Sequence, residues 1–455
     1  MKLHRFLMPL AAVLLLLTSC GKRLELLETI PADVVSAMSV NVNKLMDELQ
    51  IKADSSGVII PPQLQNAWGA KADRLRVLAR AGRAVDLEHV FMVFQKKNET
   101  PYVTFAVTDA DAFDAAMKAE GCERTDVGGY AVYAVNGFSV AVADGNGWFV
   151  AEDGEGTVKT IKGLLKRASD RSLAEVEGVA SRLSGDALTY VAFNSGSFSP
   201  VKDGGQWGVS TVNVKDNAIT GDIVAINADG SPVATKGMKR INTPVLQYAP
   251  DNASLVAACG ISKDADWDSV VSAINATGAL NAAQQAQMQM VLPYLKALDG
   301  TVMVAFGPAQ GLSGEEAVRS GFDGYDFIAM MHMDQQTVDQ GVAAATSLAS
   351  QMGTVSKVAE GLYSFPVANR TFYIGNVDGY LTFSSFRPAD TNGSSIAARF
   401  TGKEGGLSLR LPSLAVFDPE RDYGIDFIMT GGGSKATYTL NLIGTDAPIL
   451  LTLLQ

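Results

Sequence analysis

Asp264, Asp266 and Asp268 alternate along Asp-Ala-Asp-Trp-Asp, the spacing at which a calcium loop presents its first carboxylates. Such a loop needs a glycine at its sixth position and an acidic residue at its twelfth, where Ser269 and Asn275 stand. A second reading covers more of the chain. Asn43, Asp109, Asp264 with Asp266, and Asp334 each follow a strand-like stretch and precede a bulky residue. A short acceptor side chain there satisfies the free N–H groups of a helix start and complements the helix dipole, so these residues are expected as caps rather than metal ligands. Of the three histidines, His4 lies in an N-terminal leader, and neither His89 nor His332 has a His, Cys or Glu at ligand spacing. No Gly-x-Ser-x-Gly elbow, dinucleotide fingerprint or phosphate loop is present, and Gly431-Gly432-Gly433-Ser434-Lys435 suits a hairpin turn better than a phosphate cradle. A carboxylate pair for glycoside hydrolysis is defined by its separation in the fold, and 48 acidic residues leave the choice open. The sequence therefore assigns no catalytic residue, no metal ligand and no cofactor. Trp148, beside Asp144-Gly145, is the tryptophan placed where a loop tip could offer it to a sugar, with packing beside a hairpin as the alternative.

One cysteine has a sharper context. Lys2 and Arg5 form a basic start, Phe6 to Leu17 is an apolar run, and Leu17-Thr18-Ser19-Cys20 closes it. A run of 12 residues is too short to span a bilayer, and the closing tetrad resembles the bacterial lipobox, whose cysteine receives a diacylglyceryl group before cleavage. Cys20 is thus the expected lipidation site and the lipid the expected membrane attachment. By resemblance to enterobacterial sorting, Gly21 in place of an Asp favours the outer membrane. Gly21-Lys22-Arg23 also lacks the acidic stretch of surface-exported lipoproteins, which favours a periplasm-facing body. Cys122 and Cys259 would then share an oxidising compartment that permits a disulfide, although their dissimilar surroundings suit two separately packed thiols.

The body must supply whatever else the protein does. The chain has 455 residues, 47% of them hydrophobic, enough for two or three cores and far from disordered composition. A formal charge of −11 argues against a nucleic-acid partner. Trp207-Gly208-Val209 and Tyr423-Gly424-Ile425 each precede two alternating segments and a proline, Pro232 or Pro448, at a constant offset of 216. Within that window Val224 and Ile226 fall on Leu440 and Leu442, and Asp216-Asn217 on Gly432-Gly433. Ile30-Pro31-Ala32-Asp33 and Ala249-Pro250-Asp251-Asn252 likewise each open an apolar strand. The expected fold is α+β, a tandem duplication of one α+β unit with largely antiparallel sheets. The expected divisions are a leader at 1–19, a tether at 20–29, a first repeat at 30–232, a connection at 233–248 and a second repeat at 249–455. Helices are expected near Gln63 to Ala81 and Asn281 to Leu298 from apolar spacings of three, four and seven.

The lipobox, the Pro-Ala-Asp opening before an apolar strand and Asn43, and the duplicated body together resemble a family of uncharacterised envelope lipoproteins common in Bacteroidetes. That resemblance implies location and architecture, and carries no activity to transfer. The expected function is a lipid-anchored, non-catalytic envelope protein that binds or scaffolds a protein or glycan partner. The alternative is an envelope hydrolase with carboxylates in a cleft between the repeats. Replacing Cys20 with Ser is expected to release the protein from the membrane fraction; an unchanged distribution would refute lipidation.

Overall fold

A computed structural model of the chain describes residues 23–54, 57–68, 82, 84–96, 99–135, 138–183, 185–194, 206–234, 237–276, 281–388, 399–415, 418 and 421–454. The leader, with Cys20, lies outside the described residues, as do positions 69–81 of the first expected helix. The chain divides into two compact units, one comprising Met1–Val233 and Asp446–Gln455, the other Ala234–Thr445.

In the first unit α1 (Arg23–Glu28) and β1 (Ser36–Val40) lead into α2 (Val42–Glu48), the small hairpin of β2 (Lys52–Asp54) and β3 (Gly57–Ile59), and α3 (Pro62–Trp68). There follow β4 (Val90–Phe94), β5 (Tyr102–Ala106), α4 (Ala110–Ala119), β6 (Arg124–Val127), β7 (Tyr130–Val135), β8 (Phe138–Ala143) and β9 (Asn146–Val150). The unit continues through α5 (Gly154–Asp170), α6 (Glu177–Leu183), β10 (Thr189–Asn194), β11 (Gln206–Lys215) and β12 (Ala218–Asn227). Its strands pair antiparallel in the order β12-β11-β10-β1-β4-β5-β9-β8-β7-β6. Every residue of β5 is buried because helices lie on both faces. One face packs Leu26 and Leu27 of α1, Ile161 and Leu164 of α5 and Val179 of α6 onto Ala37, Phe91 and Trp148. The other packs Val42 of α2 and Phe113 and Met117 of α4 onto Val40, Val103 and Phe105.

The second unit contains β13 (Met238–Lys239), α7 (Thr243–Leu246), β14 (Leu255–Ile261), α8 (Trp267–Ala276), α9 (Ala282–Lys296), β15 (Leu298–Pro308) and α10 (Gly314–Arg319). It continues through β16 (Tyr325–Met333), α11 (Gln335–Met352), β17 (Ser356–Ala359), β18 (Leu362–Val367), β19 (Arg370–Val377) and β20 (Tyr380–Ser384). It closes with β21 (Gly405–Leu411), β22 (Gly424–Gly432) and β23 (Lys435–Ile443). The antiparallel order is β23-β22-β21-β14-β15-β16-β20-β19-β18-β17, with β13 also on β14. The α+β class with antiparallel sheets is therefore observed.

Two of the expected caps are observed and one is shifted. Asp109 accepts from the Ala112 N–H at 2.9 Å and Asp334 from the Thr337 N–H at 3.0 Å. Asn41, not Asn43, caps α2, because the cap must keep the extended backbone that ends β1, and Asn43 already lies inside the helix. The β11–β12 turn is Asp216-Asn217, with φ of 51° and 57°, the geometry of a tight hairpin. The β22–β23 turn is Gly433-Ser434, since Gly432 pairs with Lys435, so the two turns lie 217 residues apart and not 216.

The last residues depart from the expected second half. After β23 the chain forms α12 (Ile449–Leu453), whose first turn Asn217 holds by accepting from the Ile449 N–H at 2.8 Å and donating to the Ala447 carbonyl at 3.1 Å. Leu451 is buried there with Leu49, Ile51 and Leu64, which is why residues from Asp446 belong to the first unit.

Gly178 in α6 faces the backbone of Gly230, where an added Cβ would collide with the Gly230 Cα. An alanine in a helix ordinarily gains about 1 kcal/mol over glycine. Here Gly178→Ala is expected to lose about 1–3 kcal/mol through overpacking, read as a lowered urea midpoint. A stabilised variant would show that the two backbones do not approach.

Candidate functional site

The residues singled out by type do not converge. Asp268 pairs with Lys296 at 2.7 Å. Among the described residues no three His, Cys, Asp or Glu side chains are grouped to hold a metal ion. His89 is buried, and His332 sets Nδ1 2.7 Å from the Asp299 carbonyl with its ring edge-on to Tyr380. Trp148 is 2% exposed and packs edge-on against Tyr130, so it offers no loop-tip platform to a sugar. Cys122 and Cys259 are both free thiols.

Two polar groupings in the first unit invite a chemical reading. Asp114 on α4 accepts from Tyr133 at 2.9 Å and pairs with Lys118 at 2.6 Å, and these hydrogen bonds hold its carboxyl below the ordinary range. Burial, then the bond to Asp114, pushes the Tyr133 phenol up to about 12, so it stays protonated at neutral pH and cannot serve as a base. The second grouping lines a cleft of about 340 Å³ between α5 and the β4–β5 loop. Arg167 donates twice to Glu99, at 3.1 and 2.9 Å, and Glu152 accepts from Thr100 at 2.8 Å and Thr160 at 2.7 Å. With its carboxylates paired in this way, the cleft fastens α5 to the sheet and leaves no evident acid or nucleophile.

The second unit presents a different kind of surface. Along β14, Val256 and Ala258 are buried, while Leu255, Ala257 and Cys259 on the opposite face are partly exposed. The contrast continues on β15, where Met303 and Ala305 are 0% exposed and Val304 is 40% exposed. Helix α11 covers the β16 and β18–β20 part of that face through Val338, Val342 and Ala349, packing over Phe365 and Phe372. Trp267 of α8 and Leu295 of α9 join the cluster around Ile261 and Leu298, with Cys259 and Val302 at its margin. Leu255, Ala257, Val304 and the apolar side of β21–β23 belong to no helix-covered cluster among the described residues. Reading across the ladder, Phe306, Leu255, Leu409, Phe427 and Leu440 form one row. Val304, Ala257, Leu407, Met429 and Tyr438 form the next, and all of these are partly exposed or exposed. In the first unit the Phe193 ring fills the space over Gly208.

No family model matches the chain, and no curated protein matches its sequence. Among solved structures, crystal form I of TP0453 is 10% identical, with 50% of this chain and 83% of that chain covered at a TM-score of 0.28. Crystal form IV of TP0453 is 10% identical, with 45% and 83% covered at 0.27. Similarity at this level carries no argument about function.

Sequence reasoning did not identify the open face, although Ala436-Thr-Tyr-Thr-Leu-Asn-Leu442 alternates strictly and so marks one apolar side. Whether a helix covers that side is not written in the strand. The asymmetry is measurable. Val304→Asp is expected to cost no more than about 1 kcal/mol because water already reaches the position. Val256→Asp, on the covered face of the neighbouring strand, is expected to cost more than about 4 kcal/mol as a buried unpaired charge. Equal costs in urea denaturation would mean that the face is covered.

Proposed function

We propose that this protein is a lipid-anchored envelope protein, attached through Cys20, that holds a partner on an apolar sheet face and performs no chemistry on it. The observation that carries the reading is the pair of five-residue rows in the second unit. Contiguous apolar surface left in water is costly and typically marks a site of association. The rival reading, an envelope hydrolase, draws no support from the carboxyl groups that are perturbed. Asp114, Asp299 and Asp334 are held below the ordinary range by hydrogen bonds that favour the ionised form. Glu48 is raised by burial and by neighbouring Asp47. A general acid needs a raised carboxyl poised beside a second acidic group in a cleft.

The location follows from the leader alone: outer membrane, with the body towards the periplasm. Among the described residues no helix is long and apolar enough to cross a membrane. We also infer that the two units are diverged copies. Support comes from the strand order, in which each successive strand of the first sheet has a counterpart at the same place in the second. It comes also from Asp144-Gly145 and Asp378-Gly379, which turn equivalent hairpins with positive φ.

A photo-crosslinking side chain placed at position 304 in cells tests the binding reading, with position 410 on the other face of β21 as control. A defined adduct from 304 and none from 410 is expected, resolved by mass spectrometry. No adduct from 304, in protein recovered from the membrane fraction, would refute it.

A further inference from the structure

We propose that α12 is a releasable strap that closes a helix-binding groove on the first unit; this goes beyond the binding reading above and does not depend on it. A helix of five residues cannot hold itself in water, where about 12–15 are needed for even marginal stability, so α12 is helical because of what grips it. The first grip is apolar. Leu451, 4% exposed, packs with Leu49, Ile51 and Leu64, and Met46, Val58 and Ile60 edge the same cluster. The second grip is polar. Pro448 stands at the N-cap and has no side-chain acceptor for the first turn, so the Ile449 N–H would be left orphaned. Asn217 supplies that acceptor from the β11–β12 turn at 2.8 Å, and its amide donates to the Ala447 carbonyl at 3.1 Å.

The main wall of the groove is anchored independently of α12. The walls come from residues 45–64, that is α2, the β2–β3 hairpin and α3, and none of these belongs to the main sheet of the unit. Val42 fastens the other side of α2 to the sheet core, and Leu45 and Met46 touch both clusters, so this wall keeps its place when α12 leaves. α3 presents Leu64 to the groove between exposed Gln63 and Gln65. On the strap itself Asp446 and Ala447 are exposed, and the buried residues are Ile449, Leu451 and Thr452. Release therefore uncovers few side chains, breaks the two bonds to Asn217 and leaves the strand ladders paired, which places α12 among the least stable elements of the unit. A groove of this kind takes the apolar side of a short helix. Asn217 touches only the backbone of the entering turn, one N–H and one C=O, so the ligand class is a short apolar helix that begins without a cap of its own, here supplied in cis.

Hydrogen exchange of the full chain, carrying Cys20→Ser to keep it in solution, reads the opening. The segment 446–454 is expected to exchange before β5, at a rate that low urea leaves unchanged, as a local opening does. Asn217→Gly keeps a residue that accepts the positive φ of the turn while removing both hydrogen bonds. It is expected to speed exchange of 446–454 roughly tenfold or more and to leave β11 and β12 protected. The groove is read with a fluorescein-labelled peptide of residues 446–455. Full chain carrying Leu451→Asp, whose own strap cannot seat, is expected to bind one peptide saturably. The chain with Leu451 intact is expected to bind it roughly tenfold or more weakly, because its strap competes at high local concentration. If Leu451→Asp does not fold, as judged by its melting curve, Leu451→Ala carries the comparison. Exchange of 446–454 only together with β5, or unaltered by Asn217→Gly, overturns the proposal. So does peptide binding that is absent from the Leu451→Asp chain, or equally strong for a peptide that itself carries Leu451→Asp.

Discussion

Strand register is the constraint on which everything else in each unit depends. β1 and β14 are each hydrogen-bonded on both sides, and side chains alternate between faces with a period of two. A slip of one residue in β14 would move Val256 and Ala258 from beneath α7 to the open side and bring Leu255 and Ala257 under it. In the hairpins of each sheet, short turns prevent such a slip. Asp216-Asn217, Asp144-Gly145 and Asp378-Gly379 hold positive φ, which suits the twist of adjoining antiparallel strands and admits one register.

Helices then decide which side of a correctly registered sheet is dry. In the first unit α1, α5 and α6 cover one face, and α2 and α4 cover part of the other. In the second, α11 reaches over β16 and β18–β20, where Phe327, Phe365, Phe372 and Phe383 stack beneath it. Full burial of one Leu, Phe or Met side chain is worth about 1.5–3 kcal/mol. Two rows of such residues left partly wet are thus a sizeable forgone stabilisation, which a bound partner would recover.

The polar groups serve the scaffold. Arg370 pairs with Asp326 at 2.5 Å, both side chains being largely buried, and Ser385 completes the Asp326 carboxylate with a 3.0 Å hydrogen bond. Arg167 and Glu152 likewise tie α5 to the β4–β5 loop. Such groups are costly to bury unless paired, and their pairing fixes local geometry without leaving a reactive atom free.

Local chemistry was legible in the chain itself. Alternation in β11, β12, β22 and β23, acceptors ahead of α4 and α11, and turn residues at Asp216-Asn217 each depend on neighbours a few positions away, so single-sequence reading reached the α+β class and the caps of α4 and α11. The cap of α2 at Asn41 rather than Asn43 was decided by where β1 stops, which a propensity argument locates only to within a residue or two. The return of α12 to the first unit, the burial of Trp148 and the uncovered side of β14, β15 and β21–β23 were decided by tertiary structure alone. The physical reason is that a strand's sequence declares which of its faces is apolar, whereas covering that face takes a helix from elsewhere in the chain, whose reach is set by packing and not by the strand.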